Sequence, residues 1–529
     1  MMWPQPLDPL HSVALSGIAA ALPLGVVLVI MGGLRKSGLL ASACGLGTAA
    51  VLAIGVWGMP LSLAGWSLVY GFAYAAWSIL WLVFAALWLY NLSVATGSFE
   101  LLRSWMERHA SGDACIQAML VAFCFGALLE GSAGFGAPVA VTAFLLVGLG
   151  FQARKAVLVS LVANTAPVAF GGVGVPIVAL AGVTGLDIMK LSAMVGRQIP
   201  FLSLILPAYL AWVVGGGRGL RRSWPAALVA GGSFAAVQVL VSNLWGPYAT
   251  DILSSLASIF VMWLFLRIWS PASAAERGSL STSSVATAWL PWVLLSIVMT
   301  LWSYFKLFPI GQISLPIPSL HNGVLITLYQ KPYAAVYNFQ PLAAGTAVLL
   351  TTMATALCFR VRPSLLLDSG RKSALQLRLP GLTVLLIVGL AYLYNYSGMS
   401  YTLGAALAHT GGIFPLVSSY LGWVACFLSG SDTAANLLFG NLQVAAAHQL
   451  GLHPVLLAAT NTSGAVAGKM ISPQNIATGV SVTNLRGHEG VVFARVFKHS
   501  IILTLALSAL VAVQQYLIPW IIPVVGAAQ

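Results

Sequence analysis

Three side chains carry charge inside long apolar runs of this sequence: Glu130, Asp432 and Lys469. If those runs lie in a bilayer, each ionised group costs at least about 2.5 to 3.5 kcal/mol on insertion scales, so it needs a partner or a purpose. Their neighbours are small and polar. Glu130 is followed by Gly131 and Ser132; Asp432 lies between Gly430, Ser431 and Thr433; Lys469 follows Asn461 and Thr462, whose match upstream is Asn164 and Thr165. A helix interrupted at such a cluster leaves backbone N–H groups unpaired, and its positive dipole end can meet an anion away from water. Short hydroxyls and amides, with Gly allowing close approach, add donors suited to a carboxylate and an adjacent hydroxyl. Glu130, Asp432 and His409, the last able to exchange a proton near neutral pH, are the candidates for carrying a proton. The competing readings are a buried Asp432 to Lys469 pair tying two elements together, small residues that only pack helices closely, and a solvated His409.

The rest of the composition says what positions these groups. Of 529 residues, 24 are Lys or Arg, 11 are Asp or Glu and 59% are hydrophobic, with a mean hydropathy of +0.93. A soluble protein is about 25% charged; this chain is 7% charged, so the bilayer is its solvent and an ordinary cytosolic enzyme is excluded. The net charge of +13 comes from cations standing singly or in small groups between apolar runs, a topology signal and not a nucleic-acid face. Cys44, Cys115, Cys124, Cys358 and Cys426 lack CxxC spacing, so neither a disulfide framework nor a metal site is indicated, and no cofactor is expected. There is no GxxxxGK[ST] loop and no catalytic cluster near an interface, which argues against an ATP-driven pump and a membrane-embedded enzyme. The first apolar run begins near His11 with no basic segment before it, and the first cation is Arg35; a cleaved leader is not expected.

Spans of about 20 mainly apolar residues are read at 11–31, 38–57, 66–92, 156–183, 198–214, 225–244, 249–270, 287–306, 339–358, 381–397, 456–479 and 499–522. Two further stretches, 114–150 and 412–450, are interrupted by Gly131, Ser132, Ala133, Gly134 and by Ser429, Gly430, Ser431, Asp432, Thr433, and read as re-entrant hairpins. The segments 97–110 and 399–410 read as interfacial. The Ser-rich 272–286 and the loop 307–338 read as connectors, with no separate soluble domain. With the N-terminus outside, 19 cations fall inside and four outside, with Lys469 within a span; both termini then face outward. Residues 164–176 lie over 461–473 without a gap, and the two tips precede their Asn-Thr pairs by 33 and 31 residues. Seven spans separate the pairs, an odd number, so the repeat is expected to be inverted, the signature of a secondary transporter. The expected fold is therefore an all-α integral membrane protein with about 12 transmembrane helices plus two re-entrant hairpins in two inverted repeats with broken helices. Scaffold helices are expected over 1–65, the first repeat over 66–214, connecting scaffold over 215–380 and the second repeat over 381–529.

The motifs LLEGSAGFGAPVAVTAFLLVGLGF (128–151), VANTAPVAFGGVGVPI (162–177), MVGRQIPF (194–201), FLSGSDTAANLLFGNLQ (427–443) and NTSGAVAGKMISPQNIATG (461–479) closely resemble the bacterial lactate and glycolate permease family, nearly from end to end. The resemblance implies a proton symporter for L-lactate, D-lactate or glycolate in the bacterial cytoplasmic membrane, related to elevator-type ion transporters. It implies a substrate site built of Gly131, Ser132, Asn164, Thr165, Gly430, Ser431, Thr433, Asn461, Thr462 and Lys469, and a scaffold that contacts lipid and a possible second copy. Sodium-coupled relatives bind cations beside such tips; the fixed charge of Lys469 favours a proton, with a sodium-coupled carboxylate symporter as the alternative. Asp432 is the stronger proton candidate if Lys469 releases it as the anion arrives.

Overall fold

The computed structural model describes residues 2–34, 36–109, 112–132, 134, 137–269, 282–483, 485 and 488–523. Ala133 of the first tip, and Arg35, Arg277 and Arg486 of the charge tally, lie outside them. Apolar runs without water to satisfy their backbone become helices. In order these are α1 (Val13–Leu28), α2 (Gly38–Gly55), α3 (Leu61–Tyr74), α4 (Trp81–Ala95), α5 (Ser98–His109), α6 (Ala114–Gln117), α7 (Gly126–Ser132), α8 (Ala137–Gly148), α9 (Ala153–Ala163), α10 (Gly171–Thr184) and α11 (Ile188–Val195). They continue as α12 (Ile199–Leu244), α13 (Thr250–Ile268), α14 (Thr282–Tyr304), α15 (Ala344–Cys358), α16 (Pro363–Ser397), α17 (Met399–Leu407), α18 (Phe414–Ser429), α19 (Asp432–Leu450), α20 (Pro454–Lys469), α21 (Pro473–Ser481) and α22 (Glu489–Tyr516).

Among the described residues ten helices are long and apolar enough to cross a membrane, or eleven if the bent pair α9 and α10 counts as one span. Two of these, Ala114–Ser132 and Met399–Ser429, carry arms of the expected hairpins, and the twelve expected spans are reduced at three places. The expected spans 198–214 and 225–244 are one continuous helix by hydrogen bonding, yet α12 turns back on itself at Gly216 (φ 63°, ψ −160°). A Cβ on Gly231 would stand 2.4 Å from the carbonyl oxygen of Leu204, so the two arms pack backbone to backbone. α15 has only 15 residues, and the expected span 456–479 is divided between α20 and α21.

Both interrupted stretches fold as helical hairpins. In the first, α6, a π-helical stretch Ala118–Phe125 and α7 run as one arm and α8 returns, with Gly126 set against Thr142. In the second, α18 and α19 are joined by Ser418 and Gln443, which bond each other twice across the pair. Gly430, at φ 71°, turns the chain between them, and Ser431 caps α19 by accepting from Ala434 N–H.

α16 packs on α2, α3 and α4, and α15 on α4 and α14; α18 packs on α20 and α22, and α10 on α19. Segment 225–268, grouped by sequence with the connecting scaffold, lies against the rising arm of the first hairpin. The closest helix contact is built from glycine: added Cβ atoms at Gly422, Gly464 and Gly468 would approach carbonyl oxygens of Asn461, Ser419 and Trp423 to 2.0, 1.9 and 2.2 Å, so α18 and α20 touch as small-xxx-small helices do.

The loop 307–338 is not a plain connector. Strand β1 (Trp3–Pro4) pairs with β3 (Val324–Ile326) and β3 with β4 (Lys331–Pro332), while β2 (Ile313–Pro316) pairs with β5 (Val336–Phe339). Side-chain donors on the helices hold its backbone and the residues just after it: Tyr70 on Val336 and Tyr396 on Ala334 within the loop, Trp77 on Gln340 and Trp302 on Leu342 beyond it, at 2.8 to 3.0 Å. Of the expected connector 272–286, residues 282–286 are already helix α14 and the rest lies outside the described residues.

Candidate functional site

A cavity of about 520 Å³ opens between the second tip and the helices α2 and α16. The tips and broken helices contribute Glu130, Ser431, Asp432, Thr433, Lys469 and Asn475 together with the apolar Val168, Val175, Pro176 and Leu437. The α1 to α2 corner and α16 contribute Met31, Leu39, Leu379, Pro380, Val384 and Ile387 together with Ser37 and Thr383.

At the boundary of the cavity, Lys469 Nζ donates to Glu130 Oε1 at 2.6 Å, with both side chains more than nine-tenths buried. Asn164 Nδ2 donates to Glu130 Oε2 at 2.9 Å, so both oxygens of the carboxylate are satisfied. Sequence suggested Asp432 as the partner of Lys469. The structure gives that partner as Glu130, because α20 ends beside α7, whereas Asp432 sits in the first turn of α19 and has no hydrogen-bond partner for either oxygen among the described residues. Gly171 makes the pairing possible, since a Cβ there would stand 2.8 Å from Glu130 Oε1.

The two helix breaks are alike but not identical. α9 and α10 are bent by 60°. The chain leaves helix at Asn164, makes a 3-10 turn at Val168–Phe170, and passes through left-handed φ values at Gly172, Val173 and Gly174. Such a φ is costly for β-branched Val173. In the second half α20 runs unbroken through Asn461 and Thr462 and breaks only at Met470–Ser472, with Ser472 capping α21 and Pro473 at its first turn. The expectation of a break at the second Asn-Thr pair is therefore corrected. In the ungapped match, the left-handed residues 172–174 fall on 469–471, and the Asn-Thr interruption belongs to the first half alone.

The predicted site residues divide accordingly. Gly430, Ser431, Thr433, Asp432, Glu130 and Lys469 line the cavity. Gly131 packs behind it, where a Cβ would meet Asp251 Cβ at 2.7 Å. Ser132 gives its hydroxyl to Leu128 O in its own helix, and Thr165 is buried without a partner for its hydroxyl among the described residues. Asn461 bonds Ala435 O, Asn436 and Gln443, and Thr462 bonds Asn436. That network is continued by Asn436 Nδ2 on Pro176 O, so these amides satisfy one another between helices. His409 is exposed beyond α17, its Nδ1 facing the carbonyls of Ala405 and Ala406 and not the cavity.

Sequence reading passes over two buried acids, Asp113, which pairs with Arg222, and Asp251. Asp251, in the first turn of α13, is 1% exposed and has no hydrogen-bond partner for either oxygen among the described residues. The signal was available: an acid three residues into an apolar span that begins at 249.

The chain matches the L-lactate permease family over residues 16–518. It is 40% identical over 550 aligned positions to the L-lactate permease of Salmonella typhimurium, covering 99% of this chain and 100% of that protein. It is also 40% identical to the glycolate permease GlcA of Escherichia coli K12, covering 97% and 98%. The crystal structure of the YdaH transporter of Alcanivorax borkumensis superposes with a TM-score of 0.46 at 16% identity, covering 95% of this chain and 98% of that one.

Proposed function

The chain belongs to the L-lactate permease family, and from that premise we propose that it is a proton-coupled symporter of small 2-hydroxymonocarboxylates, L-lactate, D-lactate and glycolate, in the bacterial cytoplasmic membrane. The observation that carries this reading is the Lys469 to Glu130 pair at the wall of a cavity lined by both polar and apolar side chains. The polar groups suit a carboxylate and its 2-hydroxyl, and the apolar ones a methyl group. Lys469 is already neutralised, so an incoming lactate must take the ammonium from Glu130. A carboxylate left buried and unpaired is strongly disfavoured, and Glu130 then takes up a proton. One anion and one proton thus occupy the site together, and their charges cancel.

The pairing moves the coupling role from Asp432 to Glu130. Asp432 faces the same cavity with no hydrogen-bond partner among the described residues, and in this reading it is neutral and offers its hydroxyl to the substrate. Gly430, Ser431 and Thr433 contact the anion directly, while Asn164, Asn461 and Thr462 hold the elements that present them. Gly131, Ser132 and Thr165 shape the first tip. The fixed charge of Lys469 disfavours a sodium ion here.

The cavity lies next to Gly38 and Pro380, beside Lys36 and Arg378, at the end that the cation distribution assigns to the cytoplasm. At the other end, Tyr74, Tyr392 and Asn395 donate to the carbonyls of Val178, Gly182 and Val183 at 2.7, 3.1 and 2.8 Å and hold α10 shut against α3 and α16. We read this as an inward-facing state of an elevator-like cycle. The two hairpins, re-entrant and related by inversion, move with α9, α10, α20 and α21 past a scaffold of α1 to α4 and α14 to α16. The scaffold is also the surface available to lipid and to a second copy.

The test is uptake of labelled L-lactate into proteoliposomes under an inward proton gradient without sodium. Accumulation that collapses with a protonophore and yields to glycolate but not succinate supports the reading. Uptake that needs sodium, or prefers the dicarboxylate, replaces it with a sodium-coupled carboxylate symporter.

A further inference from the structure

The ion pair leaves one fully buried acid without a task. Asp251 does not line the cavity; it lies behind the first tip, where the missing side chain of Gly131 lets α7 and α13 approach until Asp251 Cβ would touch a Cβ built there. Gly131 is the residue after Glu130, so Asp251 backs the coupling carboxylate from the side away from the substrate.

The charged and titratable groups facing it are few. Glu130 and Lys469 act on it electrostatically, and Gln238 of α12 accepts from Ser203 Oγ at 2.7 Å with its Oε1, which leaves its amide nitrogen as a neutral donor beside Asp251. α10 contains no titratable residue and α14 only the exposed Tyr304; the turn before α13 holds Tyr248, packed against Phe308, and Cys124 of the π-helical stretch is occupied with Ser258. Among the described residues Lys469 is thus the one cation for three buried acids in this region, Glu130, Asp432 and Asp251. It neutralises one of them, and the other two must hold protons or remain as uncompensated buried charges.

We infer that Asp251 is a second proton-binding residue of the transport cycle, coupled to Glu130 across Gly131. With Glu130 ionised on Lys469, Asp251 keeps its proton, because two adjacent carboxylates do not both ionise. When substrate takes Lys469, the Asp251 proton passes to Glu130 as a proton from solvent replaces it: one O–H bond breaks on Asp251, one forms on Glu130 and a new one forms on Asp251, so neither carboxyl is left as an uncompensated buried charge. This rests on the proposed symport reading; the presence of the proton on Asp251 does not.

Two measurements separate them. In infrared spectra of the purified protein with isotope-labelled aspartate, the Asp432→Asn variant should keep a protonated aspartate carboxyl band at neutral pH, and Asp251→Asn should remove the remaining one. In proteoliposomes, Asp251→Asn should reduce proton-driven accumulation about tenfold or more, lower lactate exchange far less, and flatten the pH profile of uptake. Absence of the band in labelled Asp432→Asn protein overturns the inference without requiring any change at Asp251. So does accumulation by folded Asp251→Asn within about twofold of the parent at every pH, or exchange and accumulation falling in parallel with an unchanged pH profile. If the parent protein carries no lactate at all, the symport reading fails and the band still decides whether Asp251 holds a proton.

Discussion

The two hairpin tips share a Gly-Ser sequence and differ in what they present. At the first, Glu130 is bound by Lys469 and Asn164, Ser132 turns its hydroxyl into its own helix, and Gly131 is pressed against α13. At the second, Gly430, Ser431, Asp432 and Thr433 all reach the cavity, and Asp432 has no hydrogen-bond partner among the described residues. In the proposed reading, similar tips thus divide the work: one supplies a locked charge and the other an open set of polar groups. A helix end acquires a role from the side chains that answer it across the fold, more than from its own dipole.

The largest effect should follow from breaking the lock. Lys469→Gln leaves Glu130 buried without its cation, a loss of about 3 to 5 kcal/mol for such pairs, so uptake should fall below detection and thermal stability should drop. The double variant Glu130→Gln with Lys469→Gln should recover the stability without the transport, read by thermal unfolding in detergent. Failure of the double variant to recover it would mean the pair is not the main contact of Lys469.

Glu130→Gln and Asp432→Asn come next and should part company. Removing the acid at the first tip should leave slow lactate exchange and abolish uphill accumulation. At the second tip, the amide keeps a donor, and accumulation should persist with affinity weakened by no more than about tenfold, the scale of losing one hydrogen bond to a charged group outright. Asp432→Asn that uncouples while Glu130→Gln does not would reverse the division between the tips.

The smallest effects make the finest comparison. Ser431→Ala removes the cap of α19, worth about 1 kcal/mol, and takes a hydroxyl from the cavity, so KM for lactate should rise several-fold. Ser132→Ala removes a hydroxyl satisfied within its own helix, and uptake should stay within about twofold of the parent. Equal losses at the two serines, measured as initial uptake rates, would erase the asymmetry.

Much of this was legible in the sequence and some was not, for physical reasons. Charge in an apolar run marked Glu130, Asp432 and Lys469, because burial of charge is costly wherever the chain goes. Which acid meets Lys469 depends on where α20 ends relative to α7, a matter of three-dimensional packing that no spacing reveals. The ungapped Asn-Thr match suggested two equal breaks, but α20 can run straight through Asn461 because Asn436 and Gln443 absorb its amide, whereas Asn164 is drawn to Glu130. The strands over 313–339 escaped notice because they are short and pinned by aromatic donors from distant helices.

The most direct measurement is proton uptake on substrate binding by purified protein in lightly buffered detergent solution, followed with a pH indicator as L-lactate is added. If the substrate carboxylate displaces Glu130 from Lys469, about one proton should be taken up per lactate bound, and the signal should vanish in Glu130→Gln protein that still binds lactate. Binding with no proton taken up, or with the same uptake in Glu130→Gln, would contradict the exchange of partners at Lys469.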